Sequence, residues 1–179
     1  DVYKRQILDT SPLITLCSFR VGRQLVIEHI LRVATLRVVE TVAREATANT
    51  AYPDATVIGR LLETEHIARI AVPVRSTDSI IDGYTRLGSG ERDTIKLAMA
   101  MPDAILVLDD FLAFVVAARF GLQPILLLDL LVLLAQRQTM DKQEALSAVN
   151  AIQSRYSTPF VEHTKVKSVS YTHLRAHET

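Results

Sequence analysis

Acidic side chains recur in this sequence at positions where chemistry could use them. Ile7-Leu8 runs into Asp9, and the apolar run Ala104 to Leu108 runs into the pair Asp109-Asp110. Both runs read as strands ending in carboxylates, and in an open parallel sheet ligands gather beyond the carboxyl ends of the strands. The two strand ends therefore aim their acids at one edge. Glu91 is a third candidate. On the helix it opens, Ile95, Ala98 and Met99 follow at helical spacing, so Glu91 shares the face turned to the core. The plainer reading of Glu91 is a favourable charge at a helix N-terminus, bent to solvent. Glu45 borders the apolar stripe of Val42 and Ala46, with Glu40 a rival on the preceding turn.

Acids that converge need a counter-charge. Two carboxylates about 5 Å apart repel by roughly 3 kcal/mol at an effective dielectric of about 20, so a proton must be shared or a cation bound. Hard oxygen donors without a cysteine or histidine cluster suit Mg²⁺ or Mn²⁺. Such ions activate water and stabilise the leaving oxygen in phosphodiester hydrolysis. Other reactive side chains have simpler explanations. Cys17, the single cysteine, lies among Leu13, Ile14, Leu16 and Phe19 and reads as a buried small hydrophobe. One cysteine also excludes an intramolecular disulfide and a multi-thiolate zinc site. Ser11 and His66 form no convincing hydrolytic pair, because no nucleophile elbow surrounds the serine and Thr10-Ser11 is explained by helix capping. His29, His66 and His163 read as surface or packing residues.

The elements that must position the acids alternate between strand and helix. Asp9-Thr10-Ser11-Pro12 is a strand-to-helix switch, with helices expected over Pro12–Phe19 and Gln24–Arg32, separated by Gly22. Leu36–Val39 reads as a strand, followed by a helix through Val42, Ala43 and Ala46. Tyr52-Pro53-Asp54 introduces a helix over Ala55–Glu65. Ile67–Val74, ending near Pro73, reads as an edge strand. Arg75 to Gly90 is polar, a loop or weak helix, before a clear helix over Glu91–Met101. Ala104–Leu108 has the continuous apolar character of a central parallel strand. A helix over Phe111–Phe120 closes at Gly121, Pro124–Leu127 is a further short strand, and helices finish the chain over Leu128–Gln138 and Lys142–Tyr156. This order predicts an α/β fold with a central, mainly parallel sheet between helical layers.

Composition sets the wider bounds. Hydrophobic residues make up 49% and charged residues 22% of 179 positions, a globular balance. The net charge is +0, so no global basic field advertises nucleic acid. The apolar run Leu122–Ala135 is too short for a bilayer span and contains Pro124 and Asp129. No signal peptide is visible, and a cytoplasmic protein without membrane association is expected. The two ends stand apart. Codons for Asp1–Gln6 can be chosen whose reverse complement encodes the sequence of Val169–His173, a relation natural termini have no reason to show. Residues 1–6 and 169–179 are read as translated sequencing adapter and set aside, leaving one domain over residues 7–168.

In their order and spacing, four segments resemble the PIN-domain family of metal-dependent ribonucleases, which includes VapC-type toxins. They are Leu8-Asp9-Thr10-Ser11-Pro12-Leu13-Ile14, Val38 to Thr47 around Glu45, Gly88-Ser89-Gly90-Glu91, and Leu106-Val107-Leu108-Asp109-Asp110. The resemblance implies a three-layer α/β/α sandwich and an acidic quartet of Asp9, Glu45, Glu91 and Asp110, with Asp109 an alternative or additional metal ligand. It implies Mg²⁺ or Mn²⁺ as cofactor, RNA as substrate, and for a toxin-type member an antitoxin partner and a homodimer. Two segments depart from the family: Phe114 stands where some relatives carry an arginine, and Leu126-Leu127-Leu128 where some carry Gly-Thr.

Rival readings are weaker. A haloacid dehalogenase-type phosphatase needs a second acid two residues after the first, where Ser11 stands. A receiver domain places its acidic pair at the first strand, whereas here the pair comes late. The remaining alternative is a catalytically degenerate PIN-like protein-interaction module, with Phe111, Phe114 and the leucine-rich stretch to Leu134 as its surface. Metal affinity separates it from the nuclease.

Overall fold

The structure, a computed structural model, describes residues 5–76, 78–157 and 161–162. His163 and the C-terminal stretch 169–179 lie outside these residues, as do residues 1–4. The chain forms β1 (Arg5–Leu8), α1 (Thr10–Ser18), β2 (Arg20–Val21), β3 (Gln24–Leu25), α2 (Val26–Leu31), β4 (Thr35–Val39), α3 (Glu40–Thr47) and α4 (Pro53–Glu63). It continues through β5 (Ile67–Ile70), α5 (Asp78–Asp82), α6 (Ser89–Ala100), β6 (Ile105–Val107), α7 (Phe111–Arg119), α8 (Leu127–Gln136) and α9 (Lys142–Ile152). A 3-10 turn over Gln153–Arg155 follows α9.

Four strands pair in the order β5-β4-β1-β6, every pair parallel. Ile7 lies opposite Arg37 on one side and Leu106 on the other. Because all four strands run the same way, their carboxyl ends share one edge, and Asp9, Glu40 and Asp109 follow β1, β4 and β6 there. The inner strands β1 and β4 are buried on both faces, as parallel sheets require: Ile7, Leu8, Val38 and Val39 are fully buried, as is Val107 at the end of β6. Helix α6 packs across β1, β4 and β6 with α5 and α7 beside it, while α1, α3 and α4 pack on one another, completing the α/β/α sandwich. Helices α8 and α9 form a further pair, α9 resting on β2. The α2–α9 contact is fixed by Glu144, which pairs with both His29 and Arg32.

Several expected elements change. The segment expected to run from Gln24 into a helix begins instead as a two-stranded antiparallel hairpin, β2–β3, and its turn needs Gly22 at φ +60°. β5 is an edge strand but stops at Ile70, opposite Val39, the last residue of its partner β4 before α3 begins. The strand expected over Pro124–Leu127 is one bridge, Ile125 to Val107, since Leu127 already begins α8. β1 starts at Arg5, so residues 5 and 6, set aside on sequence grounds, pair with Thr35, Leu36 and Ile105. None of the described helices is long and apolar enough to cross a membrane.

Candidate metal centre

Asp9 stands at the end of β1 and at the N-cap of α1, yet its side chain makes no capping hydrogen bond. It is 4% exposed, and its Oδ1 is buried without a partner. Burial raises its pKa from the usual 3.8 to about 7, partly offset by the Thr10 backbone N–H and reinforced by the charges of Glu91, Glu45 and Asp110. The structure thus brings the four acids of the expected quartet into mutual electrostatic range. Glu91 is also raised, first by burial and then by Asp110 and Glu45, against the Gly88 N–H and Arg92.

Each remaining acid is tied to a local donor. Glu91 is the third residue of α6, not the first, and its Oε2 accepts the Gly88 N–H at 2.7 Å. The capping role and the place beside Asp9 therefore coexist. Glu45 reaches from α3 to the start of α6, where its Oε1 accepts Ser89 Oγ at 3.0 Å and the Gly90 N–H at 3.1 Å. Its Oε2 accepts Thr10 Oγ1 at 2.7 Å. A helix N-terminus with free N–H groups favours a carboxylate at that point. The approach requires glycine: a Cβ on Gly90 would lie 2.5 Å from Glu45 Oε2. Glu40, the rival to Glu45, is exposed as Glu45 is, but turns to Arg69 at 3.9 Å. Asp110 is the N-cap of α7, with Oδ1 accepting the Ala113 N–H at 2.9 Å.

Asp109, expected as an alternative or additional ligand, is turned away from the quartet. Its Oδ1 accepts the Leu127 N–H at 3.1 Å and its Oδ2 the Tyr156 hydroxyl at 2.6 Å. Both oxygens are spent on bracing β6 against α8 and the turn after α9. Burial nevertheless leaves its pKa raised despite these donors and Arg155. Thr10, expected from the sequence as a helix-capping hydroxyl, instead donates to Glu45, as does Ser89. Nothing in the sequence near Tyr156 signalled its bond to Asp109.

Of the other candidates, Cys17 is buried, and burial pushes its thiol upward, as a core residue requires. His66 bonds to Thr64 and makes no bond to Ser11, whose carbonyl accepts Thr15 Oγ1. Phe114 is half-buried, and Leu127, Leu128, Leu130, Leu131 and Leu134 are fully buried in the core. Those leucines are not available as an interaction surface.

Among the described residues, no three His, Cys, Asp or Glu side chains already form a cluster able to hold a metal ion. The donors present nevertheless fit a hard divalent cation. All are carboxylate oxygens, one of them buried without a partner, and their mutual repulsion is what a cation relieves. Fold and site together define a parallel α/β sandwich with a carboxylate centre at the carboxyl edge of its sheet. The sequence profile of the PIN domain matches residues 5–168. The chain belongs to the PIN-domain family, whose fold is a nuclease fold that typically works with divalent metals. Searches among curated proteins and among solved structures found no match.

Proposed function

We propose that this protein is a metal-dependent endoribonuclease whose Asp9, Glu45, Glu91 and Asp110 form the active centre. The observation that carries the reading is Asp9: a helix-capping aspartate that caps nothing, is buried with an orphaned oxygen, and lies among three further acids. A fold does not keep such a group for stability. Asp9, Glu91 and Asp110 would hold one or two Mg²⁺ or Mn²⁺ ions, whose charge activates water and offsets that developing on a phosphodiester. Glu45, fixed by Thr10, Ser89 and Gly90, sets the wall of the centre nearest α6. Asp9 can retain a proton near neutral pH when no cation is present, which limits repulsion in the metal-free state. A toxin role with an antitoxin partner, a homodimer and a cytoplasmic setting extend the proposal by analogy of fold alone.

A degenerate, protein-binding PIN domain is the second reading. It draws on the local hydrogen bonds that already occupy an oxygen of Glu91 and Asp110 and both oxygens of Glu45. Calorimetric titration of Mn²⁺ into the wild type and an Asp9→Asn/Asp110→Asn variant decides between them. Binding by the wild type that the double change abolishes is the expected result. No binding to either protein overturns the nuclease reading.

A further inference from the structure

Phe111 is the first residue of α7 and follows Asp110 directly. It is 81% exposed. The core side of α7 does not need it: Ala113, Val116 and Ala117 are buried, with Leu112 packed against the core. Nor does it pair with another ring, since the one aromatic pair among the described residues is Tyr84 with Phe120. Three other large apolar side chains are exposed among those residues, Tyr52, Val74 and Ile80, and none neighbours an acid of the centre in sequence. Asp110 fixes the start of α7 by capping Ala113, so Phe111 is held on a rigid element beside the candidate active site.

The proposed substrate sets the need that such a residue meets. A polyanion approaching a ring of carboxylates is repelled until cations intervene, and a chain of net charge +0 supplies no general attraction. Proteins that bind single strands with little sequence preference gain affinity by stacking bases on exposed aromatic rings. We infer that Phe111 is a stacking platform for a nucleobase next to the scissile phosphate of single-stranded RNA. This inference rests on the nuclease reading for the identity of the strand, and on the exposure of Phe111 for the contact.

The sequence contains no tryptophan, so a Phe111→Trp variant places a single indole at the proposed contact. Short oligoadenylate should quench that fluorescence saturably, while an abasic ribose-phosphate strand of equal length should not. Phe111→Ala should weaken oligoadenylate binding by roughly 5- to 150-fold and raise KM with little change in kcat. Equal binding of the adenine and abasic strands, wild-type affinity in Phe111→Ala, or no binding of oligoadenylate by the wild type overturns the platform. Mn²⁺ titration of the same proteins keeps the two readings apart. Mn²⁺ bound with an indole blind to adenine removes the stacking role alone. An indole quenched by adenine without Mn²⁺ binding removes the nuclease reading and leaves a base-binding surface.

Discussion

An aspartate at a helix N-cap ordinarily contributes about 1 kcal/mol by accepting a backbone N–H. Asp110 and Asp141 do so here and Asp9 does not. The folded protein therefore takes up a proton at Asp9 that the unfolded chain releases near its ordinary pKa of 3.8, and keeps it until about pH 7. The sign follows: a carboxylate raised on folding favours the folded state most at low pH, and that contribution fades as pH rises through the folded value. For Asp9 the interval corresponds to on the order of 4 kcal/mol, and the raised Glu91 acts in the same direction. Thermal melts in chelator should show a higher Tm at about pH 5 than at about pH 8. Asp9→Asn should raise Tm at the higher pH and flatten the profile. A wild-type profile already flat would mean that Asp9 is not raised by its burial. Gly90→Ala is the complementary test. A displaced Glu45 carboxylate is cheap for the fold, because it is the end of a flexible side chain, and alanine is the better helix former. Tm and Mn²⁺ affinity should change little while cleavage falls; unchanged cleavage would remove Glu45 from the centre.

At the scale of elements, the acidic edge depends on parts distant in sequence. Asp109 ties the end of β6 to the start of α8 and to Tyr156 beyond α9. Tyr156→Phe would leave Asp109 Oδ2 without its donor in a largely buried place, a loss of about 1–3 kcal/mol. Scanning calorimetry should register a fall in Tm of several degrees, with Mn²⁺ affinity reduced far less than by Asp110→Asn. A loss of metal affinity equal to that of Asp110→Asn would place Asp109 among the ligands after all. The loop entering α6 works similarly. The N–H groups of residues 88 and 90 are taken by Glu91 and Glu45, the second only because residue 90 carries no Cβ, so one helix start serves two acids.

For the molecule as a whole, a net charge of +0 supplies no general attraction for a polyanion, so the proposed nuclease would draw its RNA affinity from cations in the centre and from stacking. A protein making 6–10 such contacts loses about 10³–10⁵ in affinity between about 50 and 200 mM salt. This protein, at fixed divalent ion concentration, should lose less than about tenfold over that range. A steep salt dependence, read by fluorescence anisotropy of labelled RNA, would point to a basic surface that the charge balance conceals.

The sequence alone determined the alternation of strands and helices and the strand ends at Asp9 and Asp109-Asp110, because apolar runs and turn residues are local signals. It also placed Glu91 near the start of its helix. Local signals do not reach further than that. Whether Glu40 or Glu45 approached the centre depended on how α3 meets α6, and whether Asp109 or Asp110 faced it depended on a tyrosine more than forty residues away. The β2–β3 hairpin was hidden because two-residue strands carry no readable alternation. Only the tertiary structure decided which carboxylate lost its solvent and its cap, since burial is a property of packing, and that loss at Asp9 is what carries the proposal of a metal centre.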